Sequence, residues 1–281
     1  LEARIDKIFE PTRDEVVLLL RTRTDTFRLL LSARSGSARV CLTQESFENP
    51  ATPPGFCMLL RKHLTGGRLI SVHMEPGDRI VFFDFRCTNE MGDLVINTLA
   101  AELMGRYSNL VLVQDGRIID ALKRVDFEDS AIRQLLPGLP YTLPPKPAKP
   151  DFLQVSGAEA VTAACQKDLP PADALTRTVG GVGPVVMREA AWMAFGGETS
   201  LLADELEESR KKALAEAFDE LRARHAAGGT PSVVRLPQAD GSEKPVEFSF
   251  FTPCQYGPNA RVTTYPGYSE MLEDYYATKD R

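Results

Sequence analysis

Arg68-Leu69-Ile70-Ser71-Val72-His73, then a turn at Pro76-Gly77, then Arg79-Ile80-Val81-Phe82-Phe83-Asp84-Phe85-Arg86-Cys87: this stretch decides the fold. Two β-rich runs flank a proline-glycine turn, which reads as two strands. Upstream, Arg4 to Phe9, Glu15 to Arg21 and Phe27 to Ala33 read as a meander of three further strands. Pro53-Pro54 and Gly66-Gly67 bracket Phe56 to Leu64, the proline-before, glycine-after signature of a short helix. Downstream, Asp93 to Met104 reads as a helix ending at Gly105. Leu110 to Val113 and Arg117 to Ala121 flank Asp115-Gly116, a strong hairpin signal.

Six prolines between Pro137 and Pro150 make regular structure improbable there and suggest a boundary. Three regions follow: an α+β domain over 1–150, a helical region over 151–227, and returning strands with a last helix over 228–281. The charged segment Leu201 to His225 offers Leu202, Leu206, Leu214, Phe218 and Leu221 for packing. Ser232 to Leu236 and Pro245 to Phe251 read as strands about Asp240-Gly241. Tyr268 to Arg281 reads as the opening of a longer helix. Two late strands are too few to bury a core alone, so they are expected to join the 1–150 unit, with the helices inserted between.

The chain has 281 residues and a formal net charge of −6. Residues 1–150 carry 20 Lys/Arg against 19 Asp/Glu, whereas 151–281 carry 13 against 20. The first half, rich in arginine, therefore remains a candidate surface for an anionic partner. No aliphatic run reaches the roughly 20 residues of a membrane span and no signal-peptide pattern opens the chain, so no membrane and a soluble, cytoplasmic setting are expected. Five scattered cysteines and three histidines argue against a disulfide framework or a zinc module. A Walker A motif, H-E-x-x-H, G-x-S-x-G and a strand-borne G-x-G-x-x-G are all absent, so no catalytic residues, metal or cofactor are expected.

Several segments suit nucleic acid. Asp78-Arg79, at the mouth of an apolar strand, could accept from a base edge while the guanidinium holds phosphate; the alternative is a turn aspartate capping its own backbone. Arg61-Lys62 lies on a short helix whose alternative reading is a solvated face. Arg106-Tyr107, after Glu102-Leu103-Met104-Gly105, offers a charge and an aromatic plane for splayed bases; the alternative is a helix-end cation beside a packed tyrosine. Gly180-Gly181-Val182-Gly183-Pro184 has the form of a helix-hairpin-helix, in which Gly181 and Gly183 let the turn approach a phosphate; the alternative is a tight interhelical turn. Asp84 is either a buried acid of raised pKa or a solvated or hydrogen-bonded strand residue.

Taken in order, Arg4-Ile5-Asp6-Lys7-Ile8 with Pro11, Glu48-Asn49-Pro50 with Pro53-Pro54, Phe56 to Leu64, Asp78-Arg79-Ile80, Glu102 to Asn109, Ile118-Ile119-Asp120 and Leu136-Pro137-Gly138 with Tyr141 resemble the NFACT-N family. Its members are described both as fibronectin-binding proteins and as ribosome quality control factors. The resemblance implies a glycosylase-like α+β domain without glycosylase chemistry, consistent with a chain that starts at Leu1 instead of a catalytic proline. It implies a non-enzymatic adaptor that binds a large ribosomal subunit carrying peptidyl-tRNA and recruits alanyl-tRNA for template-free tailing, the ribosome making the peptide bonds. The family's Asp-Arg pair falls on Asp78 and Arg79, and its tRNA-facing segment on Glu102, Leu103 and Met104. Fibronectin is the alternative partner, for a surface adhesin. Family members extend before Leu1 and, through a coiled coil, beyond Arg281, so the chain reads as an N-terminal fragment.

Overall fold

The structure is a computed structural model, and residues 1–279 are described. The chain divides into two units, Leu1–Glu75 with Arg79–Pro145, and Pro76–Asp78 with Lys146 onward.

The first unit is built on nine antiparallel strands: β1 (Arg4–Thr12), β2 (Glu15–Arg21), β3 (Thr26–Ser32), β4 (Arg39–Thr43), β5 (Arg68–Met74), β6 (Ile80–Thr88), β7 (Leu94–Glu102), β8 (Asn109–Gln114) and β9 (Arg117–Ala121). Their spatial order is β4-β3-β2-β1-β5-β6-β7-β8-β9. Alternation places Ile5, Leu18, Leu20, Phe83, Phe85, Leu99 and Leu112 on one face, where they form the main core. Helix α1 (Gly55–Leu64) packs into this core through Phe56, Cys57, Leu60 and Leu64. Its last turn carries Arg61 and Lys62, cations at the negative end of the helix dipole, beside His63, whose pKa burial lowers. A smaller cluster on the opposite face joins Ala100, Val111, Val113 and Ile118 to Leu135, with Leu139 and Tyr141 packed against it.

The expected helix over Asp93 to Met104 is a strand. Nine consecutive residue pairs join β6 to β7, from Ile80 opposite Glu102 to Thr88 opposite Leu94. Asn97, Leu99 and Ala101 are buried on the main-core side, whereas Leu94 and Ile96 on the alternate positions are exposed. Leucine and alanine favour a helix, but Val95, Ile96 and Thr98 fit the pleat, and pairing with two neighbouring strands overrides local propensity. The preceding turn is closed by Asn89, whose Oδ1 accepts from the backbone N–H of Met91 and Asp93. Edge strand β4 lies outside the expected elements.

The second unit contains α2 (Gly157–Ala164), α3 (Pro171–Thr178), α4 (Pro184–Phe195), α5 (Glu208–Ala226) and α6 (Tyr268–Lys279), with strands β10 (Ser232–Pro237), β11 (Glu243–Ser249) and β12 (Arg261–Thr264). Phe152, Leu175, Met187, Leu214, Phe218 and Leu221 fill its helical core. The late strands do not join the first sheet, contrary to expectation. They form their own antiparallel sheet, β11-β10-β12. Helix α6 supplies the missing cover: Met271, Tyr275 and Tyr276 pack with Val233 and Phe248. Phe251 enters the helical core, and buried Glu189 of α4 accepts from the backbone N–H of Cys254 and Gln255. The last two residues of the expected terminal helix, Asp280 and Arg281, lie outside the described residues.

Among the described residues, no helix is long and apolar enough to cross a membrane.

Candidate nucleic-acid interface

Pairing between β6 and β7 brings Arg79 beside the segment that ends β7. The N–H of Leu103 donates to the Arg79 carbonyl at 2.8 Å, one step beyond the Ile80–Glu102 pair. Arg79 is exposed, and Leu103 and Met104 are half-buried, with Leu103 against the main core. Asp78 is half-buried and belongs, with Pro76 and Gly77, to the second unit.

A single 3₁₀ turn, Gly105–Tyr107, follows β7 in place of a helix end. Gly105 adopts φ +56°, which glycine tolerates best. Buried Ser108 ties the turn together: its Oγ accepts from the Met104 N–H at 2.9 Å and donates to the Gly105 carbonyl at 2.7 Å. Asn109 anchors the next residue, its Nδ2 donating to the Lys123 carbonyl and its Oδ1 accepting from the Lys123 N–H. Arg106 and Tyr107 therefore project from a braced turn. The Arg106 guanidinium lies 4.8 Å from the Tyr107 ring centroid and donates to its hydroxyl at 2.7 Å, while Tyr107 is 68% exposed. An exposed aromatic plane beside a guanidinium can stack on an unpaired base and hold a phosphate.

Glu102 takes a different part from the one its position suggests. Its carboxylate is buried and receives two hydrogen bonds from Arg133, at 2.8 and 2.6 Å, and one from the Tyr141 hydroxyl at 2.6 Å. Burial raises the Tyr141 pKa, and the Glu102 charge raises it further. Burial opposes the Arg133 charge, but the bonds and charge of Glu102 outweigh it and raise that pKa. Glu102 thus fixes the root of the turn and does not face outward. Neither Arg133 nor Tyr141 stands out in the sequence as a site residue, because both lie in irregular segments with no periodicity to mark a buried partner.

Arg61 and Lys62 are not brought to this turn. Arg61 Nε donates to the Ile8 carbonyl at 2.9 Å, and Lys62 pairs with Glu90 at 3.5 Å. The adjacent His63 carbonyl accepts from Asn97, five residues back along β7 from Glu102, roughly 17 Å away along the strand. Asp84 is a hydrogen-bonded strand residue, the second of its two readings. Burial pushes its carboxyl up, but hydrogen bonds from Ser71, Thr98 and His73 together hold it below the usual range.

In the second unit the glycine turn joins α3 to α4. Gly183 is the N-cap residue of α4, with no side-chain cap and open space where a Cβ would stand. Gly181 has φ +88°, and a Cβ there would come within 2.6 Å of Asp151 Oδ1. A Cβ on Gly77 would stand 3.8 Å from the side chain of the same aspartate, and Lys146 Nζ donates to the Pro76 carbonyl at 2.9 Å. An anion approaching Gly181 thus meets a carboxylate beside the backbone.

Together, an antiparallel sheet with a braced outward turn and a two-helix glycine hairpin define a protein of the NFACT type. The model of the NFACT N-terminal and middle domains matches residues 1–281, and the chain belongs to that family. It is 40% identical over 155 residues to the Rqc2 homolog RqcH of Bacillus subtilis, covering 54% of this chain and 27% of the relative. The Streptococcus suis Rqc2 homolog RqcH is 34% identical over 247 residues, covering 87% and 42%. The chain thus spans less than half the length of these relatives. Among solved structures, the fibrinogen binding protein from Staphylococcus aureus superposes with a TM-score of 0.79 at 27% identity, covering 98% of this chain and 92% of that one. The N-terminal part of the fibronectin/fibrinogen-binding protein of S. suis gives 0.71 at 30%, covering 100% and 93%.

Proposed function

We propose that this chain is the RNA-binding N-terminal part of a ribosome quality control factor. In this reading the whole protein binds a large ribosomal subunit obstructed by peptidyl-tRNA and recruits alanyl-tRNA for template-free extension of the stalled polypeptide. The protein acts as an adaptor, and the ribosome makes the peptide bonds. One observation carries the reading: Met104, Arg106 and Tyr107 stand at one end of the sheet on a turn that Glu102, Arg133 and Ser108 brace by hydrogen bonds, with Arg79 beside its root. Rigid placement of a cation and an aromatic plane suits an unpaired tRNA loop. The family and the RqcH relatives support the ribosomal setting.

The test uses the full-length protein in cells lacking their own copy. Its readouts are alanine tails on stalled polypeptides and co-sedimentation with large subunits. Arg79→Ala with Tyr107→Ala is expected to keep a folded protein yet abolish alanine tails. Normal tails from the folded double variant contradict the assignment.

A second reading, a fibronectin-binding adhesin, is favoured by the names of two structural neighbours, from Streptococcus suis and Streptococcus pneumoniae. Immobilised fibronectin tests it: saturable capture of the full-length protein at micromolar concentration or below is the expected result, and none at that level removes it.

A further inference from the structure

Four arginines stand side by side across four adjacent strands of the nine-stranded sheet. Arg21 of β2 is directly opposite Arg4 of β1, Arg4 is opposite Arg68 of β5, and Arg68 is opposite Arg86 of β6. Their neighbours Leu20, Ile5, Leu69 and Phe85 are buried in the main core, so all four side chains rise from the other face. All four are exposed. Arg4, Arg21 and Arg68, together with Arg23 from the β2–β3 turn, line a shallow depression of about 500 Å³.

Such an arrangement works against folding. Like charges directly opposite one another destabilise a sheet. The Arg4–Arg68 pair is the closer kind: the surrounding bonds run from Ile5 N–H to the Gly67 carbonyl and from Leu69 N–H to the Ala3 carbonyl, leaving this pair without bonds between its own residues. Acids offset the row only in part. Asp6 lies 3.6 Å from Arg4 and 3.5 Å from Arg21, Glu2 lies 3.4 Å from Arg86, and Arg68 donates to the Glu2 carbonyl. Asp25 sits in the same turn as Arg23. Exposed ion pairs of this kind contribute little. A row that breaks a local rule of sheet design marks a functional surface.

We propose that Arg21, Arg4, Arg68 and Arg86 form a binding surface for the phosphodiester backbone of an RNA helix. Three inter-strand steps give the row a length of about 14 Å, and one nucleic-acid strand presents a charge every few ångströms over such a span. Guanidinium forks match phosphate oxygens two at a time. The row lies seven residues along β6 from Arg79, roughly 23 Å away, so it is a second contact and not part of the braced turn. It carries no aromatic plane among its four members, so it reads backbone and not base. The proposal rests on the RNA-binding reading only for the nature of the polyanion.

The test is equilibrium binding of an end-labelled RNA duplex, and separately of a heparin fragment, by this chain across a range of salt. The Arg21→Gln, Arg68→Gln, Arg86→Gln variant is expected to lose about tenfold or more in duplex affinity at moderate salt, with the logarithmic salt slope falling by about 2 to 3. A lysine triple variant is expected to keep the slope within about one unit, and Arg86→Gln alone to lower it by about one, which serves should the triple variant misfold. Unchanged affinity and slope in the folded glutamine variants overturn the proposal. So does a parent that ignores the duplex at low salt, or glutamine variants that lose heparin alone. Failure of the quality control reading shows separately, as normal tailing by the Arg79/Tyr107 variant, and leaves the duplex result unaffected.

Discussion

The turn after β7 and the glycine turn between α3 and α4 look alike as sequence, each a short link with glycine where a nucleic acid could approach. They differ in where the neighbouring carboxylate goes. At the first, Glu102 points inward to Arg133 and Tyr141, leaving Arg79, Arg106 and Tyr107 outside. At the second, Asp151 stands against the backbone at Gly181. Residue type alone therefore does not make an anion site; the direction of the nearby acid decides it.

The largest effect should come from removing the inward brace. Arg133→Met leaves the buried Glu102 charge without its main partner and should cost about 3 to 5 kcal/mol in urea denaturation. Adding Glu102→Leu should recover much of that loss, because a buried ion pair can be exchanged for apolar packing. Additive losses would mean that the two residues do not act as a pair.

A second buried carboxylate sharpens the contrast within one sheet. Glu10 of β1 is buried beside Cys57 with its Oε1 unpartnered, and burial raises its pKa from 4.5 to about 7. The folded state therefore holds this proton more tightly than the unfolded state does. Its contribution is fully present below about pH 4.5 and is lost as pH rises through 7. Glu10→Gln should flatten that decline and raise stability above pH 7 by about 2 to 3 kcal/mol, read from denaturation at several pH values. A parallel pH profile in parent and variant would show that Glu10 does not titrate in this range.

The glycine turn offers a smaller effect. Gly181→Ala meets both a positive φ and Asp151, and should destabilise by about 1 to 3 kcal/mol. Gly183→Ala has φ −81° and open space, and should stay within about 1 kcal/mol of the parent in thermal melts. Equal melting temperatures would remove the structural role given to Gly181. Smaller still, Arg106→Ala on the exposed turn should change stability by no more than about 0.5 kcal/mol.

Elements whose signals are local are legible in the sequence. Pro53-Pro54 and Gly66-Gly67 bracket α1, and Asp115-Gly116 marks the β8–β9 turn, where the structure also has them. The strand at Leu94–Glu102 reads as a helix because its leucine and alanines carry helix propensity, while the pairing that makes it a strand depends on neighbours that local sequence does not display. The late strands are misplaced by sequence for a related reason: their apolar cover comes from Tyr275 and Tyr276 of a helix that reads as the opening of a longer one. At the site, Arg79, Arg106 and Tyr107 can be picked by type. The inward turn of Glu102 cannot, since its partners lie 31 and 39 residues away in irregular segments.

In the function proposed above, RNA is held by what the braced turn leaves outside. The most direct measurement is a titration of labelled tRNA with the parent protein and with its Arg79→Ala, Tyr107→Ala variant, each checked by melting temperature. Losing one base stack and one phosphate contact should weaken binding by about tenfold or more while melting stays unchanged. Equal tRNA affinity in the two folded proteins would show that the braced turn does not hold tRNA.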